Sequence, residues 1–265
     1  IDLDGTVGSI VDLRNPGFPA QGQHWIDEPQ RLPVTARDVG QVYGVALDDQ
    51  SPPNVYLTAT AAFGLHRTED GRDWLPGQWG PGAAGPGAVW KLDARRNYAP
   101  QLLATVTLDG RPNSAAALGN ITFDKAHRQL LVSDLETGMI HRLSLDGRDL
   151  GRFDHGVEGR AAYFDVSAGR NAALPPVAFD PNSRARIDDC AEGRFTETPA
   201  CWNIADPRRR IWGLAVRTDS TQRETRLYYA VWSGLPLGTP GFADIPEAEK
   251  TGTVWSVRLG PDGGF

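Results

Sequence analysis

The residues closest to a reactive pattern are Asp2 and Asp4, in Ile1-Asp2-Leu3-Asp4-Gly5-Thr6. Two carboxylates spaced this way can share a phosphoryl transfer, one attacking phosphorus and the other moving the proton, when Mg²⁺ sits beside them. The first must stand at the carboxyl end of a buried strand, and later strands must bring a Ser or Thr and a Lys to the phosphate. A second set is Cys190 and Cys201, in a stretch without apolar periodicity. A metal there would need further ligands, and His24, His66, His127, His141 and His155 are all distant in sequence. The pair therefore reads as a disulfide. Closing a short loop contributes on the order of 2–3 kcal/mol, and such bonds persist in oxidising compartments, so the expected location is periplasmic or extracellular. No G-x-S-x-G elbow and no H-E-x-x-H pair occurs, which leaves a serine hydrolase of that kind and a zincin without their machinery.

The elements around Asp2 are wrong for phosphoryl transfer. The D-x-D-G-T stretch resembles the first motif of the haloacid dehalogenase superfamily, which implies Asp2 as nucleophile and Asp4 as proton carrier. No apolar strand precedes Asp2, however, and Gly8, Pro16 and Pro19 forbid the helix that must follow. Leu143-Ser144-Leu145-Asp146-Gly147 repeats the opening pattern. The opening is read instead as a tight turn between outer strands, with Gly5 supplying a positive φ, and residues 6–13 as the outer strand that leaves it.

Composition agrees with strands and turns. Gly (30) and Pro (20) punctuate the 265 residues too often for long helices. A net charge of -6 argues against nucleic acid as partner, and the absence of an 18-residue apolar run argues against a membrane span. The basic run Arg208-Arg209-Arg210 reads as a solvated turn.

Internal repeats carry the fold. Residues 42–49, 118–124 and 211–219 each read as a strand with a small residue, alternating apolar positions and an acidic turn. A second strand follows at 54–60, 129–135 and 226–232, and a third at 87–92, 138–143 and 252–257, the third always opening with Gly. Fourth strands fall within 92–108 and 143–153. The expected fold is all-β, a β-propeller of four-stranded antiparallel blades with long Gly/Pro-rich insertions. It is expected as one domain over 1–265, with blade-like units at about 42–108, 118–155 and 211–265, an orphan outer strand at 1–13, and a degenerate unit plus disulfide loop at 156–210. The ring is expected to be incomplete, or completed by residues 1–13.

The stretch 118–147, Leu-Gly-Asn-Ile-Thr-Phe-Asp through Leu-Asp-Gly, resembles blades of the six-bladed NHL, gluconolactonase (SMP-30) and paraoxonase group. Residues 40–49, 133–143 and 208–217 also look like the amino-terminal part of large, uncharacterised, secreted bacterial proteins, which implies a longer native chain. In the calcium-dependent lactonases of the propeller group, Asn and Asp side chains beside the blade glycine meet on the axis. The matching positions here are Tyr43, Gly119 and Trp212, which supply no such ligand. Asn120 and Asp134 are the weak alternatives for calcium, and Asp134 matches a position that is structural in the group. His141 takes the place of Trp90 and Trp255 in sister blades and reads as a packed residue.

Residues 61–86, 154–210 and 233–251 are long insertions expected on one face. Tyr43, Trp74, Trp79, Trp202, Trp212 and Trp232 are the expected ligand-binding residues there, with pinning of the loops to the core as the competing reading of each Trp. The expected function is a non-enzymatic extracytoplasmic binding or assembly scaffold without cofactor. Its partners would be protein, carbohydrate or the remainder of its own parent chain. The alternative is a calcium-dependent lactonase or esterase.

Overall fold

A computed structural model describes residues 2–11, 21–22, 30–64, 66, 68–70, 74–82, 84–113, 116–160, 162–173, 205, 207–232 and 241–265. Alternating apolar and β-branched residues fold them into several small antiparallel sheets. In chain order the strands are β1 (Thr6–Val11), β2 (Gln30–Thr35), β3 (Val42–Leu47), β4 (Val55–Ala59), β5 (Ala88–Asp93), β6 (Ala99–Thr105), β7 (Thr107–Leu108), β8 (Arg111–Pro112) and β9 (Leu118–Asp124). They continue with β10 (Gln129–Asp134), β11 (Met139–Ser144), β12 (Asp149–Asp154), β13 (Ala162–Asp165), β14 (Arg170–Ala173), β15 (Ile211–Asp219), β16 (Glu224–Trp232) and β17 (Gly252–Leu259). Among the described residues no helix is long and apolar enough to cross a membrane.

Three sheets are meanders. Sheet I is β3-β4-β5-β6, sheet II is β9-β10-β11-β12, and sheet III is β15-β16-β17. The pairs β1-β2, β7-β8 and β13-β14 stand as separate two-stranded sheets. Strand β9 runs beside both β3 and β15, so the first strands of the three meanders are neighbours. Ala46, Tyr56 and Val89 of sheet I bury against Ile121, Leu130 and Val132 of sheet II. Leu131 and Ile140 of sheet II in turn meet Leu214, Leu227 and Val257 of sheet III. Val7 and Val34 of the β1-β2 hairpin pack on Leu57, Trp90 and Leu92 from the other side of sheet I. The hairpin and the three sheets thus form a series in which each member presents one face to the next.

The acidic turn after each first strand is structural. Asp48 accepts bonds from Asn54 Nδ2 (2.7 Å), Asn54 N (2.9 Å), Gln50 N (3.1 Å) and the Tyr56 hydroxyl (3.1 Å). Burial pushes this carboxyl up, but those bonds outweigh it and hold it below the usual carboxylate range. Asp124 does the same work in sheet II, accepting from Ala126 N and from Gln129 Nε2 at 2.9 Å, with His127 Nδ1 at 2.7 Å. In sheet III Asp219 accepts from the backbone of Thr221 and Gln222.

Several expectations are corrected. Residues 6–11 are not an unpaired outer strand that completes the last sheet: β1 pairs with β2, and β17 pairs with β16. The opening is a turn, with Gly5 N donating to Asp2 O (3.3 Å) and Asp4 N to Asp2 Oδ1 (3.0 Å), but Gly5 is not among the residues at positive φ. Asp4 is exposed and bonded to Arg37 (2.9 Å), and an antiparallel hairpin follows. Among the described residues sheet III has three strands and no fourth. Residues 260–265 fold back instead, where Gln129 Nε2 donates to Gly263 O (2.9 Å), Arg142 Nη2 donates to Asp262 O (3.1 Å), and Phe265 packs on Phe153 (5.1 Å between centroids).

The arginine run is not a solvated turn. Arg209 is 3% exposed, lies 3.3 Å from Asp154 Oδ1, and occupies the space that a side chain at Gly156 would need. Arg208 stacks on the Tyr163 ring at 3.4 Å, and Arg210 Nε donates to Ala205 O (2.7 Å). Burying a guanidinium requires a paired acid, which Asp154 supplies, although Arg209 Nε and Nη2 are buried without a hydrogen-bond partner.

Candidate functional site

The three first strands share an irregularity. Opposite the second strand each holds one extra residue: between Val42 and Val45 in β3, between Leu118 and Ile121 in β9, and between Ile211 and Gly213 in β15. Such a bulge re-aims the side chain that sits in it. The residues concerned are Tyr43-Gly44, Gly119-Asn120 and Trp212-Gly213, the positions at which the propeller resemblance implies metal ligands.

Close approach of neighbouring backbones explains the glycines. A Cβ at Gly44 would lie 2.6 Å from Thr58 Oγ1 and 2.8 Å from Ile121 N, and one at Gly119 would lie 2.5 Å from Ser133 Oγ and 3.1 Å from Ile211 O. Hydroxyls stitch the bulges. Thr58 Oγ1 accepts from Gly44 N (3.0 Å) and donates to Gly119 O (2.6 Å), crossing from sheet I to sheet II. Ser133 Oγ, at the matched place in sheet II, accepts from Asn120 N (2.9 Å).

The bulges bring aromatic rings together. Tyr43 and Trp212 meet edge to face at 5.8 Å between centroids, on either side of the position held by Gly119. Phe63, from the loop after β4, adds a third ring 6.3 Å from Tyr43. Tyr43 is 38% exposed and Phe63 is 66% exposed, so the cluster is open to solvent, with Tyr43 and Trp212 on packed strands and Phe63 carried by the loop. Tyr43 and Trp212 were separate sequence candidates, and the structure joins them. Phe63 was missed; its signal is an aromatic just after a second strand, at the start of an insertion.

The other candidates have different fates. Trp79 is buried and Trp74 partly so, in edge contact with each other at 6.2 Å and within the core beneath β4 and β5. Trp90 Nε1 donates to Trp79 O (3.2 Å). These two tryptophans pin the 61–86 insertion to sheet I. Trp232 closes β16 opposite Gly252, and its side chain lies outside the described residues, as do Trp202, Cys190 and Cys201 entirely.

The residues on hand do not fit a calcium ion at the bulges. Tyr43, Gly119 and Trp212 offer no side-chain carboxylate or amide oxygen, and Asn120 Oδ1 accepts from Ile121 N at 2.7 Å. Asp134 is buried and bonded to Asn113 Nδ2 (2.8 Å), Glu136 N (2.8 Å) and Thr137 Oγ1 (3.0 Å), with His141 Nε2 at 3.6 Å. Calcium takes six to eight oxygens from groups free to turn toward it, and these are committed elsewhere. Among the described residues no group of three or more His, Cys, Asp or Glu is placed to hold a metal.

His155 is the most perturbed histidine. It is fully buried, its Nδ1 lies 3.1 Å from the Tyr229 hydroxyl, and its ring meets Tyr229 and Trp255 edge to face. Burial, reinforced by the charges of Arg160 and Arg209, lowers its pKa to about 4. Fully enclosed, it is a packed neutral ring at the junction of sheets II and III. No family model matches the chain, and no curated protein matches it.

Proposed function

We propose that the chain is a sector of a β-propeller serving as a non-enzymatic binding or assembly scaffold, with Tyr43, Phe63 and Trp212 as its ligand platform. The observation that carries this reading is the ring cluster: side chains from β3 and β15, which do not pair with each other, converge with an inserted loop and stay open. Rings held rigidly at low entropic cost are what a sugar face or an apolar peptide side chain binds. The repeated junctions support the radial arrangement. Val7 of the hairpin, Val89 in the third strand of sheet I and Ile140 in the third strand of sheet II each pack toward the following sheet. The partner class is protein or carbohydrate, and the acidic net charge of -6 disfavours nucleic acid. Cys190 and Cys201 support a periplasmic or extracellular setting.

Titration with oligosaccharides and with apolar peptides, followed by tryptophan fluorescence, tests the platform. Saturable binding by the wild type should weaken about tenfold, equivalent to about 1.4 kcal/mol, in Tyr43→Ala and in Phe63→Ala, with far-ultraviolet circular dichroism unchanged. Affinity that both variants retain in full would refute the platform. Ester or lactone hydrolysis that requires calcium and stops with EDTA would favour the calcium-dependent hydrolase instead.

A further inference from the structure

We infer that the edge of β1 that no described strand pairs, together with the apolar groove beside it, is a docking site for an antiparallel β-hairpin carried by another polypeptide. This surface is separate from the aromatic platform. Gly5-Thr6-Val7 repeats Gly252-Thr253-Val254, the start of β17, and Val7 packs toward sheet I as Val89 and Ile140 pack toward the sheets that follow them. Strand β2 then follows β1 and precedes the first strand β3, as β6 precedes β9 and β12 precedes β15 with a two-stranded pair between them. Thus β1 and β2 hold the third and fourth places of a sheet. Among the described residues β1 pairs only with β2, so nothing described fills the first and second places.

The gap shows on the face of β3 that such strands would cover. By register, Val45 and Leu47 correspond to Ile121 and Phe123 of β9. Ile121, covered by sheet I, is 2% exposed, whereas Val45 and Leu47 are 55% and 52% exposed. Beside them runs a groove of about 420 Å³, lined mainly by apolar side chains including Ile10, Leu32, Val34, Val45, Leu47 and Leu57. The occupant that continues the existing sheet-to-sheet interface is a hairpin built like β9-β10. It turns toward Val45 and Leu47 the face that Thr122 and Leu131 of β9-β10 turn toward sheet III. Its second strand adds to β1 by main-chain hydrogen bonds, the ordinary mode of strand addition at an open edge.

The test uses a synthetic peptide of residues 117–136, the chain's own β9-β10 hairpin, as probe against the intact protein. Saturable binding is expected, with new hydrogen-exchange protection of the β1 amides. Val45→Asp and Leu47→Asp, at positions already half exposed, should each weaken binding about tenfold or more and leave circular dichroism unchanged. A peptide carrying Thr122→Asp and Leu131→Asp, on the face that β9-β10 turns toward sheet III, should not bind. Four results would overturn the inference: a dissociation constant weaker than about 1 mM; binding that leaves β1 unprotected; binding indifferent to both aspartates; or β1 already protected without peptide. In the last case, sedimentation would separate a second copy on the edge from the chain covering itself.

Discussion

In sheet I, Gly44, Ala46, Tyr56 and Val89 share the face turned toward sheet II; in sheet III the residues in matched register are Gly213, Ala215, Tyr228 and Val254. The residue types are nearly the same and the surroundings are opposite. Ala46, Tyr56 and Val89 are buried, whereas Tyr228 is 36% and Val254 71% exposed. A Cβ at Gly44 would strike neighbouring backbone, while one at Gly213 would find only Ala230 Cβ at 3.6 Å. Where sheet I has Thr58 bonded across the junction, sheet III has Ala230. A strand's pattern therefore specifies which face can be buried, but the neighbouring sheet decides whether it is. The small Gly-Ala pair of sheet III is shaped for a close neighbour that the described residues do not supply.

The largest expected contrast is at the tyrosines. Tyr56→Ala should cost about 3–5 kcal/mol, since it removes a fully packed ring and takes one donor from Asp48. Tyr228→Ala should stay within about 1 kcal/mol. Urea unfolding of both variants measures this, and equal costs would dissolve the comparison between the two faces.

The junction of sheets II and III can be probed by pH through His155. Its folded pKa, about 4, is lowered from the ordinary histidine value of 6.5, so the unfolded chain binds the proton more readily. Stability from this group is complete above the unfolded value and falls as pH drops from about 6.5 towards 4. The total loss is about 3 kcal/mol. His155→Gln should flatten that part of the stability profile; a variant that keeps the full slope would assign it to other groups.

A smaller effect is expected at the glycines. Gly44→Ala should destabilise by about 1–3 kcal/mol, because the sheets must part to admit the methyl. Gly213→Ala should lie within about 0.5 kcal/mol of the wild type. Thermal unfolding compares the pair, and a costly Gly213→Ala would mean that this face is covered in solution.

Much of the strand order was legible because apolar alternation and Gly-led third strands repeat with little noise; the second and third strands of all three sheets fall within a few residues of their expected limits. What local pattern cannot carry was read less well. Matching the opening residues to 143–147 by their turn hid the match of Gly5-Thr6-Val7 to the start of β17, and only the pairing with β2 shows it. Charge runs usually lie in solvent, and the burial of the arginine run depends on Asp154 and on a glycine at 156, both remote in sequence. Tyr43 and Trp212 could be nominated one at a time, but their meeting depends on three matched bulges and on Gly119 between them. For Trp79 the reading as a loop anchor was available from its Gly/Pro-rich surroundings, and the packing on Trp74 and Trp90 agrees with it.

The folded-back tail has a mechanical meaning. Residues 260–265 leave sheet III yet are held by Gln129 and Arg142 of sheet II, with Phe265 against Phe153. The tail acts as a clasp across that seam, so sheet III cannot swing away until the clasp lets go. Release of the last six residues and exposure of the Phe153 side of the seam become one cooperative event.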